Sequence, residues 1–263
     1  MRSPSAVLST PEAVAIAILM TWSAGFVDLV GYLSLYGLYT ANMSGNTVAM
    51  ARHIAQQEWW GFARRGWPIA TFVLGMILGA IIYDAEKRRD VRPRFPTTIA
   101  LEVLLIAIFI GAAAGSDFKA EIPPNPAVKF FLMVALLTTA MGLQNVSIRK
   151  VGGINVYTTF VTGSLVKFAE ELSEYLFWVR DRTRGRFQRR IGSVLRVSAR
   201  QKTLQHASLT LALWIAYLTG ALAGDLATAR WALLGMMGPL LTLAAIAGYG
   251  AFRPLALEAS REW

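Results

Sequence analysis

The chain has 263 residues, of which 55 % are hydrophobic and 16 % charged, with a mean hydropathy of +0.45. Soluble domains carry about 25 % charged residues, so this composition, with several long apolar runs, excludes an ordinary soluble domain and predicts a polytopic membrane protein. Net charge is +10, but five basic residues fall in 84–96 and nine in 180–202, so 14 of 26 sit in two connectors, which is the pattern of cytoplasmic loops rather than of a nucleic-acid-binding surface.

In chain order, residues 1–12 are polar, with Pro4 and Pro11, and are expected in the cytoplasm. The first span covers about 13–36. No small-residue cleavage signature follows its apolar core, so it is read as a retained span and not a signal peptide. Residues 37–43 are Gly-bounded and expected to be extended. A short helix then starts near Ser44, whose hydroxyl can cap the free N–H groups of a first turn. It runs into Arg52, His53, Gln56, Gln57 and Glu58, which suit it poorly to face lipid. Trp59, Trp60 and Trp67 read as interfacial anchors. A span at 67–83, the basic connector 84–96 with Pro93 and Pro96, a span at 97–114 and a Pro-rich loop at 115–126 follow. The second half opens with a span at 127–148, closed by Arg149 and Lys150. Residues 151–158 are again expected to be extended, with Gly152 and Gly153. The helix from about 160 carries Lys167, Glu170, Glu171 and Glu174. After the connector 180–202 come spans at about 206–227 and 231–252, ending at Arg253-Pro254.

The two halves repeat. Tyr39-Thr40-Ala41-Asn42-Met43-Ser44-Gly45-Asn46-Thr47-Val48 aligns with Tyr157-Thr158-Thr159-Phe160-Val161-Thr162-Gly163-Ser164-Leu165-Val166. Gly25 and Asp28 match Gly142 and Asn145 at an offset of 117, Ser44-Gly45 match Thr162-Gly163 at 118, and Gly75-x-x-x-Gly79 matches Gly220-x-x-x-Gly224 at 145. The jump of 27 is about the length of the second basic connector, which reads as an insertion into one copy. Small residues at this spacing let helices approach closely in lipid.

Charge discriminates between topologies. If both polar helices fully crossed, three spans would separate 84–96 from 180–202, and the two most basic loops would face opposite sides. If both are broken or re-entrant half-helices, two spans separate the loops and both are cytoplasmic. Each half then crosses three times, the halves are inverted, and six spans leave both termini in the cytoplasm. Arg64 and Arg65 would lie outside, which is a cost to this arrangement. The expected fold is therefore an all-α membrane domain of about six spans plus two half-helices, with repeat one at about 13–114 and repeat two at about 127–252.

Inverted repeats with broken helices occur in secondary transporters, where half-helix N-termini meet near mid-membrane. Non-helical backbone survives at that depth only when buried in protein or lining a cavity. Free N–H groups and positive helix ends favour an anion or polar solute. The candidate substrate-binding set is Asp28, Asn42, Ser44, Gly45, Asn46 and Thr47 at the first break. At the second it is Gln144, Asn145, Thr159, Thr162, Gly163 and Ser164. Asp28, a costly acid inside a span, is a candidate proton or cation site, with Asn145 as its non-ionising counterpart. The competing structural reading is that small polar residues only satisfy helix ends and that Gln144 and Asn145 only bond between helices.

No catalytic residue, metal site or cofactor is assigned. Cys is absent, which removes disulfides and thiolate chemistry. His53 and His206 lack companions at ligand spacing, and neither GxxxxGK[ST] nor HExxH occurs. Ser44-Gly45 with His206 would form a protease-like Ser–His dyad, but Asn42 stands where the rhomboid motif has Gly, and the repeat offers Thr162 without a second His. In the connector 180–202, Phe187, Ile191, Val194 and Leu195 share one helical face, expected to lie against anionic lipid headgroups.

AGFVDLVGYLSLYG, ANMSGNTV, TAMGLQN and TTFVTGSL together resemble the YoaK-like family of bacterial membrane proteins (domain of unknown function 1275), from about residue 13 to 250. The arginine-rich connector is expanded relative to the usual pattern. The resemblance implies a location in the bacterial inner membrane and brings no established activity. The expected function is a small-solute transporter or permease, for an anion or coupled to protons, with its site between the two breaks. The alternative is a non-transporting scaffold or accessory subunit that uses its GxxxG faces and basic loop to assemble with itself or with a membrane-protein partner.

Overall fold

The computed structural model describes residues 11–88, 96–113, 128–147, 150–151, 154–155, 158–159, 161–183 and 201–252. The helices are α1 (Pro11–Ser34), α2 (Met43–Ala55), α3 (Trp59–Arg88), α4 (Pro96–Ala113), α5 (Val128–Ser147), α6 (Val161–Thr183), α7 (Lys202–Trp231) and α8 (Met237–Phe252). A 3₁₀ turn, Ala232–Met236, joins α7 to α8, and β1 (Lys150–Val151) pairs antiparallel with β2 (Ile154–Asn155). Among the described residues the fold is otherwise all-α. Most of the connector 180–202, with its expected surface helix, and Gly152, Gly153 and Tyr157 lie outside them.

Among the described residues, four stretches are long and apolar enough to cross a membrane: Pro11–Ser34, Trp59–Glu86, Val128–Ser147 and Lys202–Phe252. The last contains both α7 and α8, and a shorter apolar helix occupies Thr97–Ala113. Their outward faces are apolar as well. Leu74, Ile77 and Ile81 on α3 and Leu218, Leu222 and Leu226 on α7 are exposed, a surface suited to lipid rather than water.

Two elements differ from the sequence expectation. The third helix starts at Trp59, not at 67, and passes through Pro68. Thr71 Oγ1 bonds back to the carbonyls of Trp67 and Pro68 there. Trp67 donates its indole N–H to the Phe131 carbonyl and Trp60 stacks on Phe131. Helix α2, at 13 residues, is about 20 Å long and too short for a hydrocarbon core of about 30 Å. By contrast α6 runs for 23 residues, so by length it is no half-helix. Its polar face, with Glu171 bonded to His206 of α7 at 3.2 Å, extends it along a neighbour.

The dominant packing seams are α1 with α7 and α3 with α5. Helix α4 packs on α5 and α8, while α2 lies on α3 and α6 on α7. Four glycines build the two main seams by the same geometry. A Cβ on Gly25 would sit 2.1 Å from the Tyr217 carbonyl oxygen, and one on Gly220 2.0 Å from that of Trp22. In the other seam, a Cβ on Gly142 would sit 2.2 Å from the Phe72 oxygen and one on Gly75 2.3 Å from that of Thr139. Trp22 and Thr139 are equivalent at the offset of 117, as Phe72 and Tyr217 are at 145. Around these seams Met20, Val27, Leu137 and Met141 are fully buried.

Candidate functional site

The first break begins where Tyr36 and Gly37 take positive φ angles of 56° and 71°, a backbone state that ends a helix at little cost only for glycine. Arg65 donates to the Gly37 carbonyl. The chain then folds back against α1. Gly31 permits this, because a Cβ there would lie 2.4 Å from Thr40 Cγ2. Asp28, 4 % exposed, holds the returning strand. Its Oδ1 accepts the Thr40 and Ala41 N–H groups, both at 2.7 Å, with Thr40 Oγ1 at 3.3 Å and the Asn42 N–H at 3.4 Å. Its Oδ2 accepts the Tyr217 hydroxyl at 2.5 Å, across the α1–α7 seam. The carboxylate is thus fully engaged by donors, as a buried charge must be.

Asn42, not Ser44, caps α2. Asn42 Oδ1 accepts the Gly45 N–H at 3.3 Å and the Ser44 hydroxyl at 2.7 Å. Helix α2 starts at Met43, so Ser44 already lies within its first turn and cannot occupy the flanking cap position. Asn46 is 0 % exposed and locks the break internally: it donates to the Tyr39 carbonyl at 2.7 Å and accepts the Tyr39 N–H at 3.2 Å. Gly45 lies under the Tyr39 ring, and Thr47 donates to the Met43 carbonyl.

The second break repeats this on a smaller scale. Asn145 Oδ1 accepts the Thr159 hydroxyl at 2.9 Å, while its amide lies 3.7 Å from Met76 Sδ. Gln144, 0 % exposed, donates to the Met20 carbonyl of α1 at 2.6 Å. Thr162, Gly163 and Ser164 occupy the first turn of α6.

Between the two breaks lies a cavity of about 720 Å³. Its wall pairs residues under the sequence offsets: Ala41 with Thr159, Met43 with Val161, Ser44 with Thr162, and Phe72 with Tyr217; Asn42 and Asn145 complete it. The first turns of α2 and α6 both open onto it. Unpaired backbone N–H groups of a first turn favour anionic or strongly polar groups. Of the residues selected from sequence, Asn42, Ser44, Asn145, Thr159 and Thr162 line the cavity. Asp28, Gly45, Asn46, Thr47, Gln144, Gly163 and Ser164 do not; the first four, with Gln144, are occupied in bonds or packing that shape its frame. Tyr217 and Phe72 were not foreseen. Each stands one helical turn before a glycine of the repeated GxxxG, so extending the repeat alignment to that turn would have found them.

The Ser–His pair does not form: Ser44 bonds Asn42 and His206 bonds Glu171. His53 bonds Glu58 at 2.6 Å across the α2–α3 turn. No group of three metal-ligating side chains occurs among the described residues.

Comparison with known proteins agrees with the apolar helices. A UPF0700 transmembrane protein YoaK from Bacillus subtilis (strain 168) is 27 % identical over 160 residues, spanning 61 % of this chain and 67 % of that one. No solved structure matches. A family model described as Protein of unknown function (DUF1275) matches residues 16–249. The chain is a membrane protein and belongs to the DUF1275 family.

Proposed function

We propose that the protein is a small-solute transporter or permease of the bacterial inner membrane, with its solute site in the cavity between the two breaks. The observation that carries this reading is the cavity itself, because a scaffold needs only filled packing where these breaks meet. Six apolar helices crossing as two inverted halves, with α2 and the longer, polar α6 starting at the site and not crossing, fit the equivalence of the α1–α7 and α3–α5 seams and keep both basic connectors and both termini in the cytoplasm. The connector 180–202 then lies against anionic headgroups. The scaffold alternative loses support from the glycines, since Gly75, Gly79, Gly220 and Gly224 all meet the chain's own helices. The solute is small and polar or anionic, matched to two helix N-termini, hydroxyls from Ser44, Thr162 and Tyr217, and the Asn42 and Asn145 amides.

The test is thermal stability of the purified protein against a panel of inorganic anions, organic acids and amines at two pH values. A ligand at about a hundred times its Kd stabilises the folded state by roughly 2.7 kcal/mol. The expected result is a hit that is lost in Ser44→Ala and Thr162→Ala while both variants keep their ligand-free melting point. A hit undiminished in both variants would move the site out of this cavity.

A further inference from the structure

Helix α4 reads PTTIALEVLLIAIFIGAA and carries a single ionisable residue, Glu102. Its side chain is 0 % exposed, and neither carboxyl oxygen has a hydrogen-bond partner among the described residues. This is the opposite of Asp28, whose oxygens are engaged by five donors. Nor is Glu102 in an ion pair among the described residues. Among the elements packed on α4, α5 bears Lys129 in its first turn and α8 bears Tyr249. Helix α3 bears Tyr83, Asp84, Glu86, Lys87 and Arg88 at the end where Glu86 bonds Thr97, and the 3₁₀ turn bears none. None of these bonds either oxygen. An isolated ionised carboxylate is untenable in such a site, so the buried group is the neutral acid.

A neutral acid has one O–H to donate, and an acceptor without a partner stands on the neighbouring helix. Gln144 Oε1 on α5 is also buried without a partner, because Gln144 spends its amide nitrogen on Met20. Thr98 and Ser147 bond at 2.8 Å across the α4–α5 seam. One turn on from Thr98 along α4 is Glu102, and one turn back from Ser147 along α5 is Gln144, so antiparallel helices bring the two to one level. The next residue on α5, Asn145, is in the cavity wall. α8, the third helix of the other half, has no acidic residue, so only one half carries this group.

We infer that Glu102 is a proton-binding site, and, resting on the transporter reading, that it rather than Asp28 couples solute movement to protons. The carboxylate takes one proton from water when the α4–α5 seam is open, the acid is held against Gln144 when the seam closes, and the proton returns to water on reopening. No other bond changes. Asn145 and Gln144 on consecutive positions of α5 give occupancy of the cavity a direct mechanical link to that seam.

The test is infrared difference spectroscopy of the full chain in lipid, titrated by pH with no solute present, comparing wild type with Glu102→Gln, an isostere of the neutral acid. The expected result is a protonated-carboxyl C=O band at neutral pH that is missing in Glu102→Gln and fades as the pH rises. Modification by the apolar reagent dicyclohexylcarbodiimide, which attacks protonated buried carboxyls, is a second readout. Labelling of the Glu102 peptide should fall roughly tenfold per pH unit above the midpoint of the band. If Glu102→Gln does not fold, Glu102→Asp replaces it and should shift the band without abolishing it. Absence of a Glu102 band at neutral pH, or a band and labelling that persist to the alkaline limit of folding, would overturn the proposal. The first means a fixed charge and the second a permanently neutral structural acid. Both results are independent of whether a solute binds the cavity, so they leave the transporter reading to its own test.

Discussion

Asp28 and Asn145 occupy equivalent positions, and so do Tyr217 and Phe72, yet the pairs differ together: the acid accepts from a hydroxyl, while the residue equivalent to that tyrosine on the side of the amide has a ring that cannot donate. A buried carboxylate that organises three backbone N–H groups is a structural clamp as much as a site residue. Hydrogen bonds to charged groups contribute about 1.5–3 kcal/mol each, so Asp28→Ala is expected to lower stability by more than about 3 kcal/mol. Asp28→Asn keeps an oxygen for Thr40 and Ala41 and should cost less. The sharper test is a double-mutant cycle in detergent. Asp28→Asn with Tyr217→Phe recreates the Asn145–Phe72 arrangement and should cost less than the two single changes added, by on the order of 1 kcal/mol. Strict additivity would show that the bond between them contributes nothing of its own. Asp28 was legible in the sequence as an acid in an apolar span, but its partners were not. Tyr217 is 189 positions away, and no local pattern encodes such a contact. Asn46 shows the converse. Its type suggested a ligand, whereas both of its polar atoms serve Tyr39.

Helices meet in this molecule where glycine removes the side chain from the contact. At Gly142 and Gly220 an added Cβ would overlap a backbone carbonyl, whereas nothing lies within 4 Å of one at Gly111 or Gly248. Gly142→Ala and Gly220→Ala are therefore expected to lower stability by about 1–3 kcal/mol through forced separation of the seams. Gly111→Ala and Gly248→Ala should be neutral, or stabilising by up to about 1 kcal/mol through helix propensity. Melting of the four variants checks this, and equal shifts would refute the seam assignment. The GxxxG pairs and the two Gly/Asn/Ser/Thr breaks were readable because they are local in sequence. Helix ends were less so. The span expected at 67–83 extends back to Trp59, whose aromatic neighbours read as anchors outside it, and the polar stretch after Val161 suggested a short helix although packing on α7 carries it for 23 residues. Glu102 left a plain signal, one acid in an otherwise uncharged span. Its lack of a partner among the described residues is a tertiary fact that the span itself does not encode.

At the scale of the molecule, two seams built by equivalent glycines bring two helix breaks to one cavity. The collinear motifs made the paired glycines and the two breaks legible in the sequence. The cavity was not visible, because its volume depends on how Phe72 and Tyr217 fill the space between the breaks. The inverted arrangement predicts that single cysteines in 84–96 and in 180–202 are labelled from the same face of the membrane, and the chain has no native cysteine to interfere. The central claim is that the cavity between the breaks is the solute path. The most direct measurement places single cysteines at Ser44 and Thr162 and follows their reaction with a membrane-impermeant thiol reagent in vesicles of both orientations. The account predicts that both positions react, from a face that changes or at a rate that falls when a stabilising solute is present. Two cysteines inert from both faces in a folded protein would mean that the space between the breaks is sealed, and the transporter reading would be contradicted.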